Sequence, residues 1–369
     1  MKHWQEARQV FELLSTLNTE KRRAALATVV CVHGSAYRRE GAKMAVAEDG
    51  ACVGNVSGGC LELDVREVAL QVIASQVPQL RSYCSGGDEV RAWDLGVGCE
   101  GEVKVFVEPA YSTSAIEQGL LAAGLPFAVC TMIRTEPATN RPNRLIVTAR
   151  GVEGDPEDSD INTAVVAEAR GLLAVDAPSS LRDVAGTAVF VDVYRVPPHL
   201  VIVSAGNDAR PLARFAVEAG FRVTVVDHRP GLLLTDRFPG AATLIDSFPA
   251  DLVRRVQFDD HTFAVVMTHN FADDEQYLRA LVATSVAYIG VLGPRQRTER
   301  LLRNVAGDSS LDTDRIYAPV GLDVGTDGAE QVALAIIAEM LAVRGGRQPQ
   351  SLRERPLPIH AVGGVGRGA

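Results

Sequence analysis

The order strand, tight turn, helix, strand between residues 200 and 227 constrains the fold of this chain more than any other feature. The apolar run Leu200–Val203 leads through Ser204-Ala205-Gly206-Asn207-Asp208-Ala209 into an amphipathic segment that ends at Gly220, and Arg222–Asp227 again has the pattern of a strand. Further strand and helix patterns alternate up to Val343. Since such crossovers are right-handed, the pattern predicts an open, doubly wound parallel sheet of the Rossmann type.

The turn after the first of these strands is close to the dinucleotide fingerprint G-x-G-x-x-G/A, with Ser204 at the first glycine position. Asp227 ends the second strand, 227 − 206 = 21 residues after Gly206, where a carboxylate accepts hydrogen bonds from a ribose. Ser204, Gly206, Asn207 and Asp227 are therefore candidate cofactor-binding residues. The alternative is that the crevice beside this turn binds no nucleotide, because it is empty or serves another purpose. His269, in a loop at the same sheet edge, is the best histidine candidate.

Two glycine-rich loops in the first half each carry one cysteine, in the sequences Ser57-Gly58-Gly59-Cys60-Leu61-Glu62 and Leu95-Gly96-Val97-Gly98-Cys99-Glu100-Gly101. Residues 61–73 have helical spacing, so Cys60 is expected at a helix N-terminus, where unpaired amides and the helix dipole stabilise a thiolate. We treat Cys60 and Cys99 as candidate functional thiols. The alternative for Cys60 is a small apolar side chain in the core.

A second feature of the first half is the loop that precedes the strand Lys43–Ala47. Arg38, Arg39 and Lys43 flank a glycine-rich turn, an arrangement that can bind phosphate or another anion, although a solvated charged loop is the alternative. Residues 24–108 have the pattern of a small α+β unit. We expect the strands between residues 127 and 194 to extend its sheet.

Composition excludes several classes of protein. The net charge is −9 and no stripe of Lys and Arg is present, so we expect no nucleic-acid binding. The sequence has no signal peptide and no apolar run of about 18 residues, so we expect no membrane association and a cytoplasmic location. The six cysteines match no zinc-site spacing, and no metal site is predicted.

The change of pattern at Pro197-Pro198 divides the sequence. We predict an N-terminal α+β domain over 1–196, a Rossmann-like domain over 197–346 and a mobile tail over 347–369. A Rossmann sheet edge of this size favours a homodimer, although nothing in the sequence fixes the oligomeric state.

Taken together, these segments resemble the XdhC/CoxI family of accessory proteins, which mature xanthine dehydrogenase and related molybdenum hydroxylases. The likeness runs from about Ala24 to Arg344. It rests on an ordered set of motifs: Gly34-Ser35 with Arg39-Glu40-Gly41-Ala42-Lys43-Met44, Gly54-Asn55-Val56-Ser57-Gly58-Gly59-Cys60-Leu61-Glu62, Gly96-Val97-Gly98-Cys99-Glu100-Gly101, Ser204-Ala205-Gly206, Val226-Asp227-His228-Arg229, Tyr288-Ile289-Gly290-Val291-Leu292-Gly293 and Pro319-Val320-Gly321-Leu322-Asp323-Val324-Gly325. Similar proteins usually have Gly-Ala-Gly-His at the Rossmann turn, where this chain has Ser204 and Asn207.

The resemblance implies a protein that binds molybdenum cofactor (molybdopterin), protects it while a terminal sulfur is added, and delivers it to a xanthine dehydrogenase-type molybdenum hydroxylase. A cysteine desulfurase is a further candidate partner. The implied roles are ligand or sulfur relay for Cys60 and Cys99, and anion binding for Arg39 and Lys43. Ser57, Gly58, Gly59 and Glu62 complete the cofactor loop.

Two other functions compete with this one. The first is an NAD(P)-dependent oxidoreductase that uses the Rossmann half, and the second is a non-catalytic interaction module. The chain lacks the cysteine patterns of iron–sulfur clusters, so we do not expect it to oxidise xanthine alone.

Overall fold

The computed structural model describes residues 4–34, 36–84, 101–110, 114–135, 144–153, 159–175, 177–241, 243–307 and 311–355. The chain divides into two compact units: unit 1 comprises Met1–Val196 with Arg355–Ala369, and unit 2 comprises Pro197–Glu354. Cys99 lies outside the described residues. Of the tail predicted to be mobile, residues 347–355 are described, and its mobility stays a prediction.

Unit 1 begins with a helix and a five-stranded antiparallel sheet in the order β3-β2-β1-β5-β4. The elements are α1 (Trp4–Thr19), β1 (Ala24–Gly34), β2 (Lys43–Ala47), β3 (Cys52–Gly54), α2 (Glu62–Ser75), β4 (Gln79–Cys84) and β5 (Gly101–Pro109). Helix α2 buries Val65, Val68, Ala69, Val72 and Ile73 against this sheet, since their spacing places them on one helical face.

A second antiparallel sheet completes unit 1, in the order β8-β7-β6-β10-β9. Its elements are α3 (Ser114–Ala123), β6 (Phe127–Met132), β7 (Arg144–Thr148), β8 (Val152–Glu153), α4 (Ser159–Ala174), β9 (Ser180–Val184) and β10 (Thr187–Tyr194). The expectation that these strands extend the first sheet is wrong. The free edge of β5 is taken by β4, whose mostly exposed residues gave no clear strand pattern in the sequence.

Unit 2 is a six-stranded parallel sheet in the order β13-β12-β11-β14-β15-β16. The strands are β11 (His199–Val203), β12 (Arg222–Asp227), β13 (Thr243–Asp246), β14 (Thr262–Val266), β15 (Tyr288–Val291) and β16 (Ile316–Tyr317). The helices are α5 (Ala209–Glu218), α6 (Leu252–Arg255), α7 (Phe271–Val282), α8 (Arg295–Ala306) and α9 (Ala329–Arg344).

The strand order of unit 2 confirms the predicted Rossmann-like fold, since strands one to six of the unit lie in the order 3-2-1-4-5-6. Alternate residues of β11 enter two separate cores, Leu200 and Ile202 on one face and Val201 and Val203 on the other. The direction in which successive strands are added to the sheet reverses between β11 and β14. The loops after these two strands therefore diverge and leave a crevice at the carboxyl edge of the sheet.

Within the described part of the chain, no helix combines the length and the apolar character needed to cross a lipid bilayer.

Candidate functional site

The loop that carries Cys60 is folded around the carboxylate of Glu62, the first residue of α2. Glu62 Oε1 accepts the backbone amides of Val56 (3.0 Å), Ser57 (2.8 Å) and Gly58 (3.1 Å), while Oε2 accepts the amide of Gly59 at 2.8 Å and the Ser57 hydroxyl at 2.6 Å. One side chain thus binds five donors from four consecutive residues. This arrangement fixes the loop without any ligand.

The hydrogen bonds change the ionisation of Glu62. Partial burial by itself disfavours the charged carboxylate, but the Ser57 hydroxyl and the amides of Ser57 and Gly58 outweigh it and lower the pKa of Glu62 to about 2. The carboxylate is therefore charged across the physiological pH range. A negative charge in the first turn also complements the helix dipole of α2.

Cys60 follows this locked segment and is partly exposed, with its side chain packed against the core of the first sheet. The Ser57 hydroxyl accepts the amide of Leu61 at 2.9 Å, so the backbone is held on both sides of the cysteine. Gly58 has a φ of 101°, and a Cβ added there would lie 2.6 Å from Tyr37 Cδ1. Only glycine fits at that position without displacing the Tyr37 ring.

The two cations predicted to bind an anion lie in different environments. Lys43 is buried: its Nζ lies 2.8 Å from Asp192 Oδ2 on β10, and it donates to Thr28 Oγ1 at 3.3 Å. Arg39 is partly exposed in the β1–β2 loop. Because Lys43 is buried and paired with Asp192, it cannot bind an external anion as predicted, and anion binding by Arg39 stays a prediction.

A second candidate site is the cleft at the carboxyl edge of unit 2, with a volume of about 250 Å³. It lies between the loops after β11, β12 and β14, and it is lined by Ser204, Val226, Asp227, His228, Arg229, Thr268, Asn270, Asp273 and Tyr277. This is where a Rossmann fold binds its dinucleotide. Whether the residues present suit that ligand depends on two contacts.

The first contact is that of the predicted ribose acceptor, Asp227, which is 3% exposed. Its Oδ2 accepts the Ala205 amide at 2.7 Å and Arg229 Nη2 at 2.8 Å, and its Oδ1 accepts the Arg229 amide and Nε, both at 2.9 Å. Burial opposes ionisation, but these hydrogen bonds lower the pKa of Asp227. Both carboxylate oxygens of Asp227, which a ribose would need as hydrogen-bond acceptors, already accept hydrogen bonds from groups of the protein.

The second contact is at the turn where the pyrophosphate of a dinucleotide approaches Gly206. A Cβ on Gly206 would lie 2.9 Å from Asp208 Oδ1 and 3.2 Å from Ser204 Oγ, so two side chains fill this space. Asp208 is the N-cap of α5, and its Oδ2 lies 2.5 Å from His269 Nε2. A carboxylate at the helix N-terminus repels a pyrophosphate. The residues present therefore do not fit a nicotinamide dinucleotide.

Asn207, the remaining residue of the fingerprint, faces a residue distant in sequence. Its Oδ1 lies 3.3 Å from Arg237 Nη2, which also donates to the Ala205 carbonyl at 3.1 Å. The structure thus brings Ser204, Gly206, Asp227 and His269 to one edge of unit 2, with Asn207 beside them. Their predicted role in cofactor binding stays a prediction.

Comparisons with known proteins bear on the whole chain. A family model described as the XdhC Rossmann domain matches residues 200–340, and one described as the XdhC and CoxI family matches residues 17–84. A Bacillus subtilis (strain 168) protein, named as a probable subunit of xanthine dehydrogenase, is 32% identical over 340 residues, which are 90% of this chain and 96% of that protein. The chain belongs to the XdhC and CoxI family.

One further relative and one solved structure are also similar to this XdhC/CoxI protein. The molybdenum cofactor insertion chaperone PaoD of Escherichia coli (strain K12) is 26% identical over 324 residues, 87% of this chain and 83% of that protein. A crystal structure of a xanthine dehydrogenase from Bacillus halodurans, 30% identical, superposes with a TM-score of 0.75 over 92% of this chain and 97% of that one. The predicted family and fold are confirmed.

Sequence reasoning missed three residues that shape the two sites of this XdhC/CoxI chain. Arg229 lies two positions after Asp227 and pairs with it, Asp208 occupies the helix N-terminus, and Tyr37 packs on Gly58. For Arg229 the signal was available, since a cation two residues from the acidic strand end can reach it. The contact of Asp208 with His269 joins residues 61 positions apart, and the contact of Tyr37 with Gly58 joins residues 21 positions apart. No local sequence pattern indicates either contact.

Proposed function

We propose that this chain binds molybdenum cofactor at the Cys60 loop, supports its sulfuration and delivers it to a xanthine dehydrogenase-type molybdenum hydroxylase. Support comes from the family, whose relatives include a molybdenum cofactor insertion chaperone. The observation that carries the proposal is the partly exposed Cys60 thiol on a backbone that Glu62 holds in place. A thiolate can ligate a soft metal or carry a sulfur atom as a persulfide.

The cofactor is cargo in this account, and the contacts of the loop divide the work among its residues. Because Glu62 accepts the amides of Val56, Ser57, Gly58 and Gly59, these groups position Cys60 and are not available to the phosphate of the cargo. We assign the phosphate to Arg39 instead, because a guanidinium binds phosphate through paired N–H donors. Cys99 is proposed as the second thiol from its sequence motif alone.

The remaining parts of the proposal concern location and assembly. We propose a cytoplasmic homodimer that receives sulfur from a cysteine desulfurase. In such a transfer the Cys60 thiolate attacks the outer sulfur of a persulfide on the desulfurase, the S–S bond of that persulfide breaks, and the desulfurase cysteine leaves as a thiolate. This step requires a cysteine that a partner protein can approach. Cys60 meets that requirement because it is partly exposed.

An NAD(P)-dependent oxidoreductase is the competing function, and the Rossmann strand order is the observation in its favour. Two observations oppose it: the Asp227 carboxylate is engaged by Ala205 and Arg229, and the Asp208 carboxylate lies at the pyrophosphate position. The two functions differ in which substitution is harmful. The accessory role depends on Cys60, whereas a dehydrogenase depends on Asp227.

Cys60→Ser is expected to reduce the activity of the client hydroxylase to the level of cells without this protein, a loss of at least about tenfold if the thiol holds the cargo. The measurement is hydroxylase activity in cells that lack the native chain and carry each variant. Cys52→Ser is the matched control, since Cys52 is an exposed cysteine of the same unit that donates to the Gly50 carbonyl. Wild-type activity with Cys60→Ser, or a larger loss with Asp227→Ala, contradicts the proposal.

A further inference from the structure

The cleft of unit 2 retains polar groups that point to a ligand other than a dinucleotide. Its volume of about 250 Å³ is below the range of about 300–1,000 Å³ that is usual for sites of drug-sized ligands. A single heterocyclic ring system is of a suitable size. Asp273 and Arg229 are the two charged lining residues whose contacts within the protein leave ligand-binding capacity.

Asp273 lies in the first turn of α7 and is partly buried. Its backbone amide donates to Asn270 Oδ1 at 3.3 Å, while its carboxylate has no hydrogen-bond or ion-pair partner within the described part of the chain. A partly buried carboxylate that lines a cleft is an acceptor for N–H donors of a ligand. Its two oxygens accept two adjacent, parallel N–H bonds best.

Arg229 supplies the complementary group. Its Nε and Nη2 are both bound to Asp227, which fixes the plane of the guanidinium and leaves Nη1 outside this contact. The side chain is 48% exposed. The charge of Asp273 is close enough to contribute, after Asp227, to the raised pKa of Arg229. An N–H donor and a carboxylate acceptor therefore both line the cleft.

The rim of the cleft carries a flat aromatic surface. The His228 ring stacks on the exposed Phe248 ring, with centroids 5.3 Å apart and an angle of 18° between the planes. Of these two rings, His228 lines the cleft, whereas the other aromatic residue of the lining, Tyr277, is buried and donates its hydroxyl to the Ser247 carbonyl at 2.8 Å. An accessible aromatic ring at a site of this size favours a planar ligand, which offers a π-face as well as a hydrogen-bonding edge.

We propose that this cleft binds a heterocycle with a 2-amino-4-oxo edge, the edge shared by guanine and pterin rings. The ring N–H and the exocyclic amino group donate to the Asp273 carboxylate, and the neighbouring carbonyl oxygen accepts from Arg229 Nη1. Adenine lacks the two adjacent donors and the carbonyl. A nicotinamide dinucleotide is excluded by Asp208 and by the Asp227–Arg229 pair.

The proposal concerns unit 2 and does not depend on Cys60, so it goes beyond the cargo site proposed above. The ligand can come from two sources, a guanine nucleotide or a free pterin. Both present the same edge to the protein. The experiment therefore needs one probe for each source and probes that lack the edge.

Isothermal titration of the full chain with GMP, neopterin, AMP and NAD⁺ tests this inference. We expect GMP or neopterin to bind at least about tenfold more tightly than AMP, the discrimination of one good bidentate contact. Binding of GMP alone identifies a nucleotide ligand, and binding of neopterin alone identifies a pterin. AMP or NAD⁺ binding as tightly as both, or no binding of either ring, overturns the proposal.

Asp273→Asn replaces one acceptor oxygen by a donor and is expected to weaken binding of the preferred ring by about tenfold. Asp260→Asn is the matched control, since Asp260 is an exposed carboxylate of the same unit outside the cleft lining. The titration measures ring binding and its dependence on Asp273, whereas the cargo proposal is tested by hydroxylase activity with Cys60→Ser, so failure of one proposal is distinguishable from failure of the other. Unchanged binding with Asp273→Asn overturns the assignment of Asp273.

Discussion

Replacement of Asp192 by asparagine is expected to destabilise unit 1 by about 3–5 kcal/mol, the usual cost of removing one partner of a buried ion pair. The side chains of Lys43 and Asp192 are 5% and 1% exposed, and Nζ lies 2.8 Å from Oδ2. Asparagine keeps the shape and removes the carboxylate that directly contacts the ammonium. Urea unfolding followed by tryptophan fluorescence reports on this unit, since both tryptophans, Trp4 and Trp93, precede residue 100.

The neighbourhood of Lys43 explains why the effect should be large. Burial, and then the charge of Arg144, lower the pKa of Lys43, while Glu117 and Glu108 raise it. The charged ammonium therefore depends on the carboxylates around it. Arg144 is itself bound to Glu117, with Nη2 2.6 Å from Oε1, so this guanidinium cannot move away.

A double variant separates the cost of an unpaired charge from the loss of packing. Lys43→Met combined with Asp192→Asn removes both charges and should recover most of the stability, because apolar replacement of a whole buried pair is often neutral. Asp49→Asn, which removes the exposed partner of Arg22, is the control and should destabilise the protein far less than Asp192→Asn, because water screens an exposed ion pair. A double variant as unstable as Asp192→Asn would refute the explanation.

Replacement of Glu62 by glutamine is expected to lower the free energy of unfolding by about 2 kcal/mol and to disorder the Cys60 loop. Hydrogen bonds to a charged group contribute about 1.5–3 kcal/mol, and the glutamine amide turns its own donors towards the backbone donors of the loop. Hydrogen-exchange mass spectrometry of peptides spanning residues 55–61 should show faster exchange. Glu67→Gln, a change on the solvent-facing side of the same helix, is the control and should leave the loop protected.

Acid titration gives a second signature of the same carboxylate. The pKa of Glu62 is lowered from 4.5 to about 2, so its stabilising effect is complete above pH 4.5 and is lost as the pH falls towards 2. The stability difference between the wild type and Glu62→Gln should therefore shrink over that interval. A difference that stays constant from pH 6 to pH 2 is incompatible with the hydrogen-bond pattern.

The sequence carried most of the information about unit 2. The βαβ pattern gives the Rossmann fold because apolar strands, the Gly206 turn and amphipathic helices are local signals. The function of the same residues was harder to predict. Asp227 has the right position for a ribose, but its engagement by the Ala205 amide depends on how two loops meet at the sheet edge.

In unit 1, contacts between residues far apart in the sequence could not be predicted from local patterns. Lys43 beside a glycine turn suggested an anion site, yet its partner Asp192 lies 149 positions further along the chain and only the packing of two sheets brings them together. The separate second sheet was missed for the same reason. Glu62, in contrast, was identified as part of the Cys60 loop, since its partners are within six residues.

The most direct test of the central claim is the identity of the small molecule that the protein carries. The chain is purified from molybdate-fed cells and denatured, and the released molecules are measured by mass and absorbance, with Cys60→Ser purified in parallel. We expect a pterin from the wild type and little or none from Cys60→Ser. Release of a nicotinamide dinucleotide without pterin, or of equal pterin from both proteins, would contradict the account.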